Sequence, residues 1–138
     1  MFDEEEFKRW IKQAEQTLKS AERDKNAGDY SWACFKAHQS AEFAIKGLLY
    51  GLGIMAYGRS LKKLLETLSQ RIKVPEEIAR KAKILDRHYI PKRYPDAHVE
   101  GSPFEFYDEE DAEEALKSAE KILEFVKGVA CDSLRERD

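Results

Sequence analysis

The chain has 138 residues, 42% of them hydrophobic and 37% charged, with a formal net charge of -3. That length fits one domain with its own core, and the charged fraction exceeds the roughly 25% of an average protein. No apolar run approaches the roughly 18 residues of a membrane span, and the acidic start Asp3-Glu4-Glu5-Glu6 is unlike a signal or transit peptide. Two cysteines, Cys34 and Cys131, cannot make a disulfide framework. A secreted miniprotein, a membrane protein and a two-domain enzyme are thereby excluded, and a reduced cytoplasmic protein is expected.

The periodicity is helical almost throughout. Phe7, Trp10, Ile11, Ala14, Leu18 and Ala21 step by three or four along one stripe, with Lys8, Lys12, Glu15 and Lys19 opposite. This first helix stops near Asn26-Ala27-Gly28. Asp29 is placed to cap the second. There Trp32, Ala33, Phe35, Ala37, Ala41, Phe43, Ala44, Ile45, Leu48 and Leu49 cover most of the circumference. A helix apolar nearly all round belongs either in the middle of a bundle or in an oligomer interface. Trp10, Trp32 and Phe35 read as core residues.

Ser60 is placed to cap a short third helix with Leu61, Leu64, Leu65 and Leu68 inside. Pro75 suits the first turn of a fourth, which carries Ile78, Ala82, Leu85 and Tyr89 and stops at Pro91. Pro91 to Tyr107 is non-periodic but rich in aromatics, so a long structured loop is expected before the last helix. Asp108, with Asp111 three residues on, caps that helix. Its buried stripe runs from Ala112 to Val126. The expected fold is all-α: an up-and-down bundle of four to five helices forming one domain over residues 1–130, with a polar tail at 131–138.

The charge is unevenly spread. Arg59 to His98 holds eleven Lys/Arg and five Asp/Glu, a net +6, which leaves -9 for the rest. Such a segment attracts phosphates, although Lys62, Lys63, Arg80, Lys81 and Lys83 also fit the solvated faces of amphipathic helices. Arg87, His88, Lys92, Arg93 and His98 cluster around the loop, where separate turns can converge on one anion. Arg offers a planar fork for phosphate oxygens.

The ordered series of segments carries a family resemblance. It runs from Trp10 and Ala14, through Gly28-Asp29-Tyr30 and Ala37-His38-Gln39-Ser40-Ala41-Glu42-Phe43, to Ser60-Leu61-Lys62-Lys63-Leu64-Leu65. It continues with Leu85-Asp86, Tyr89-Ile90-Pro91 and Arg93-Tyr94-Pro95-Asp96-Ala97, then Tyr107 before an Ala-rich helix. The chain resembles a small prokaryotic HEPN domain over nearly its whole length. The resemblance implies a helical bundle that commonly dimerises. Many members are similar to metal-independent ribonucleases; others bind nucleotides. Many are paired with a small MNT-type nucleotidyltransferase in toxin–antitoxin modules.

Ribonuclease members carry an Arg, four to six residues, then a His, and Arg93 and His98 have that spacing. The resemblance thus implies His98 as acid or base and Arg93 as phosphate stabiliser, while Arg87, His88, Lys92, Tyr94 and Asp96, read from their place in the basic loop, are the candidates to touch the RNA or nucleotide. Such chemistry needs no cofactor: the RNA 2′-hydroxyl attacks the adjacent phosphorus, and the protein supplies proton transfer and a cation. One His per chain is few for both proton transfers, so a two-fold dimer sharing one cleft is expected.

The chain also departs from the ribonuclease pattern. Tyr94 and Pro95 follow the Arg where a polar residue and no Pro are usual. Glu100 stands where members modified by a partner transferase have Tyr, and Arg59 where many have His. A non-catalytic module that binds nucleotide or docks onto a nucleotidyltransferase, and a plain helical adaptor, therefore stand beside the ribonuclease. In the latter, Arg93 fastens the loop by pairing with Asp96 or Asp86.

No metal is expected. Cys34 and His38 lie one turn apart, but a closed zinc site needs about four ligands and no nearby Cys/His pair completes it. His38 reads as a partly buried histidine satisfied by Glu42 or a backbone carbonyl, and Glu42–Lys46 as an intrahelical ion pair.

Overall fold

The computed structural model describes residues 1–88 and 101–136. Within them the chain is an up-and-down helical bundle without strands: α1 (Glu4–Asn26), α2 (Tyr30–Gly51), α3 (Leu61–Leu68), α4 (Glu76–Asp86) and α5 (Glu109–Arg135). The expected all-α class is therefore observed. None of these helices is long and apolar enough to cross a membrane.

The helix ends follow local chemistry. The Asp3 side chain accepts the Glu6 N–H at 3.1 Å, and three glutamates occupy the positive first turn of α1. Gly28 adopts φ +84°, which lets the chain reverse within three residues and lay α2 beside α1. Asp29 sits at the N-cap of α2, but its side chain makes no capping bond. Ser60 caps α3, and Asp108 and Asp111 cap each other's backbone at α5 in a reciprocal box. Residues 103–106 of the expected loop form a short 3₁₀ turn with its own box, between Ser102 and Glu105. The last helix runs on through Cys131 to Arg135, into the segment read as a polar tail.

The all-round apolarity of α2 has an internal explanation. It is the central helix, sandwiched by α1 and α5 and touched by α3 and α4. Fifteen of its residues are buried, including Ile45, Leu48 and Leu49 at 0% exposure. Burying each of those side chains contributes about 1.5–3 kcal/mol. No second chain is required to cover this helix, so its composition is no longer an argument for an interface.

Close approach of α1 to α2 depends on small residues. A Cβ on Gly47 would fall 2.6 Å from the Trp10 Cβ, and the Ser40 hydroxyl donates to the Ala14 carbonyl at 2.6 Å. Trp32, expected in the core, is instead 53% exposed. It lies in the first turn of α2, and among the described residues the Phe35 ring meets it edge-on at 5.7 Å.

Candidate functional site

Residues from three elements converge on the end of α4. The last residue of that helix, Asp86, accepts the Leu61 N–H at 2.9 Å and the Lys62 N–H at 3.0 Å. Its second oxygen also faces the Ser60 hydroxyl at 3.4 Å. These are the first amides of α3, so the carboxylate sits where the helix dipole favours a negative charge. From the other side, His38 of α2 places Nε2 at 3.2 Å from Oδ1. The ring donates in that contact whether it is the neutral Nε2–H tautomer or the imidazolium.

Asp86 is therefore a knot joining α2, α3 and α4. Burial acts to raise its pKa, but the His38 hydrogen bond, the two amides and the His38 charge together hold it below the usual 3.8. His38 is fully buried, and its Nε2 meets Asp86 rather than Glu42. Glu42 is spent on Lys46 at 3.0 Å, as its spacing requires. The His38–Asp86 contact spans 48 positions. Its sequence signal was a histidine in a stripe of alanines, which must find an acceptor if buried.

Arg87 and His88 continue from the knot. Arg87 is exposed, whereas His88 is buried, with Nδ1 3.5 Å from the Tyr107 hydroxyl. Tyr107 also packs edge-on against Phe35, ring centroids 5.4 Å apart. Burial, with the nearby Cys34 and Asp111, pushes the Tyr107 phenol up to about 12. Burial, with Asp111, Asp108 and Glu114, likewise pushes the Cys34 thiol up to about 12, so at neutral pH it is no nucleophile. Among the described residues no group of three His, Cys, Asp or Glu could hold a metal ion. Lys92, Arg93, Tyr94, Asp96 and His98 lie outside the described residues.

The frame is thus an all-helical bundle whose short fourth helix is tied to the central helix by the His38–Asp86 contact. The chain matches the HEPN domain family over residues 7–129, and it belongs to that family. Among solved structures it is similar to TT1696 of Thermus thermophilus, with a TM-score of 0.85 and 46% identity over 88% of this chain and 96% of that one. It is also similar to ST0689, described as an archaeal HEPN homologue, with a TM-score of 0.78 and 44% identity over 90% and 97% of the two chains. A curated relative from Methanocaldococcus jannaschii, named "Putative toxin MJ1304", is 29% identical over 94% of this chain and 89% of its own.

Proposed function

We propose that the chain is a metal-independent endoribonuclease acting as a homodimer, the toxin-like component of a toxin–antitoxin module whose antitoxin is an MNT-type nucleotidyltransferase. His98 moves the proton of the RNA 2′-hydroxyl or of the leaving 5′-oxygen, and Arg93 stabilises the crowded phosphoryl oxygens. Two chains facing one cleft supply two of each.

The observation that carries this reading is the Arg93–His98 spacing inside a basic segment, and the saturation of Asp86 bears on the competing structural role of Arg93. Four donors already surround the two Asp86 oxygens, about as many as a carboxylate accepts. The knot therefore holds without Arg93, which weakens the alternative in which that guanidinium merely fastens the loop to Asp86. The toxin name of a relative supports the same direction.

Purified protein incubated with RNA in EDTA should leave 2′,3′-cyclic phosphate ends. His98→Ala should abolish them. A His98→Ala protein that cuts as well as its parent sinks the assignment, and a chain that stays monomeric in light scattering sinks the shared cleft.

A second reading draws on Pro95, which breaks helical geometry between the Arg and the His. There the domain binds a nucleotide or docks on the transferase without chemistry of its own. Calorimetry with ATP, GTP and short RNAs separates the two: a bound nucleotide and intact RNA favour the module.

A further inference from the structure

The cations of this molecule fall into two populations. Outside residues 59–88, Lys8, Arg9, Lys25, Lys36, Lys46, Lys121, Lys127 and Arg135 each face a carboxylate within 4.0 Å. Only Lys12, Lys19, Arg23 and Lys117 among the described residues there do not. Within 59–88 the proportion reverses. Arg80 pairs with Glu76 at 3.4 Å, while Arg59, Lys62, Lys63, Arg71, Lys73, Lys81, Lys83 and Arg87 face no carboxylate within 4.0 Å among the described residues.

The Asp86 knot concentrates part of this unpaired charge. By bonding to the Ser60 hydroxyl and the Leu61 and Lys62 amides, Asp86 brings the chain at Arg59 and Lys62 against the chain at Arg87. All three residues are exposed, and Lys83 lies exposed one turn before Arg87. The anion-attracting end of α3 is already filled by Asp86, so the positive charge left over belongs to these side chains. Tyr57, in the same loop as Arg59, is 74% exposed and offers a face to a base.

We infer that Arg59, Lys62 and Arg87, gathered by the Asp86 knot, form a phosphate-binding track for single-stranded RNA. The track rests on the ribonuclease reading for its substrate class. Arg59 and Lys62 have no part in the proton chemistry. Their role is to hold the strand by its backbone, without regard to sequence. A single-stranded nucleic acid suits the patch better than a lipid surface, because an open aromatic ring, Tyr57, lies two residues from Arg59, while the apolar stripes of α3 and α4 are already buried in the bundle.

The test is anisotropy of a fluorescent 2′-O-methyl RNA, which resists attack by its own sugar, titrated with the full-length protein over a range of salt. Arg59→Ala/Lys62→Ala/Arg87→Ala should bind about a hundredfold more weakly at about 0.1 M salt, with a salt slope shallower by about 2. Lys12→Ala/Lys19→Ala/Lys117→Ala removes equal charge elsewhere and should bind nearly as the parent does. Circular dichroism should give all three proteins the same melt, since every substituted side chain is exposed.

Equal weakening in both variants, no weakening in the first, a parent that ignores RNA, or equally tight binding of poly-glutamate through the same three residues would each overturn the track. Failure of the ribonuclease reading looks different. There the RNA is held by these cations but never cut. Conversely, cleavage at unchanged KM in the first variant keeps the activity and removes the track.

Discussion

The half of the molecule built from α1, α2 and α5 and the arm built from α3 and α4 spend their charge differently. In the first, cations cross between helices: Lys127 meets Glu15 at 2.9 Å, Lys25 meets Glu113 at 3.6 Å, and Lys36 holds Asp24 at 2.7 Å and Ser20 at 2.9 Å. In the second, apart from the exposed Arg80–Glu76 pair, the partnered charge is an anion, Asp86, and nearly all the cations face solvent. Paired charges hold a bundle in register and are neutral from a distance. Unpaired ones add nothing to the fold and create a field that reaches a ligand. The contrast separates scaffold from working surface within one small domain.

Substitutions can break that division. The largest effect should come from His98→Ala, with RNA cleavage reduced at least about a hundredfold and the melting temperature unmoved. Asp86→Ala tests the exception, an arm residue that is structural. It removes the Asp86 contact from the buried His38 and opens two amides of α3, at a cost of about 3 kcal/mol in urea unfolding. The sign with pH follows from its lowered pKa. The carboxylate's contribution is complete above the unfolded value of about 4 and is lost as pH falls through the lower folded value. The acid limb of the stability curve should therefore flatten in Asp86→Asn.

Next comes Gly47→Ala, which forces a methyl onto the Trp10 Cβ 2.6 Å away. That atom is fixed to the backbone of α1, so about 2 kcal/mol of destabilisation is expected from thermal melts, with RNA binding by the folded fraction unchanged. The smallest effect belongs to Lys127→Ala. Its exposed pair with Glu15 should be worth under about 1 kcal/mol, checked by a double-mutant cycle.

The helices were legible because amphipathic stripes and caps are local. Leu61, Leu64, Leu65 and Leu68 are buried as their spacing required, and the Asp108–Asp111 box is present. The apolar surface of α2 was ambiguous, since its pattern is the same whether the cover is α1 and α5 or another chain. The Asp86 knot was illegible for a different reason. Its four donors come from residues 24 to 48 positions away, and no local rule pairs them. Trp32 was misplaced because residue type speaks for burial only where neighbours exist. Arg93 and His98 were visible as a spacing inside a basic run, but a spacing carries no geometry.

The two thiols described above give the bundle an internal clock. Cys34 is sealed between helices with its proton held, while Cys131 is open on the flank of α5. A maleimide dye offered at neutral pH should couple once per chain, at Cys131. A second equivalent should enter only as fast as α2 comes away from its neighbours, so the rate of that slow step times the opening of the bundle without any denaturant.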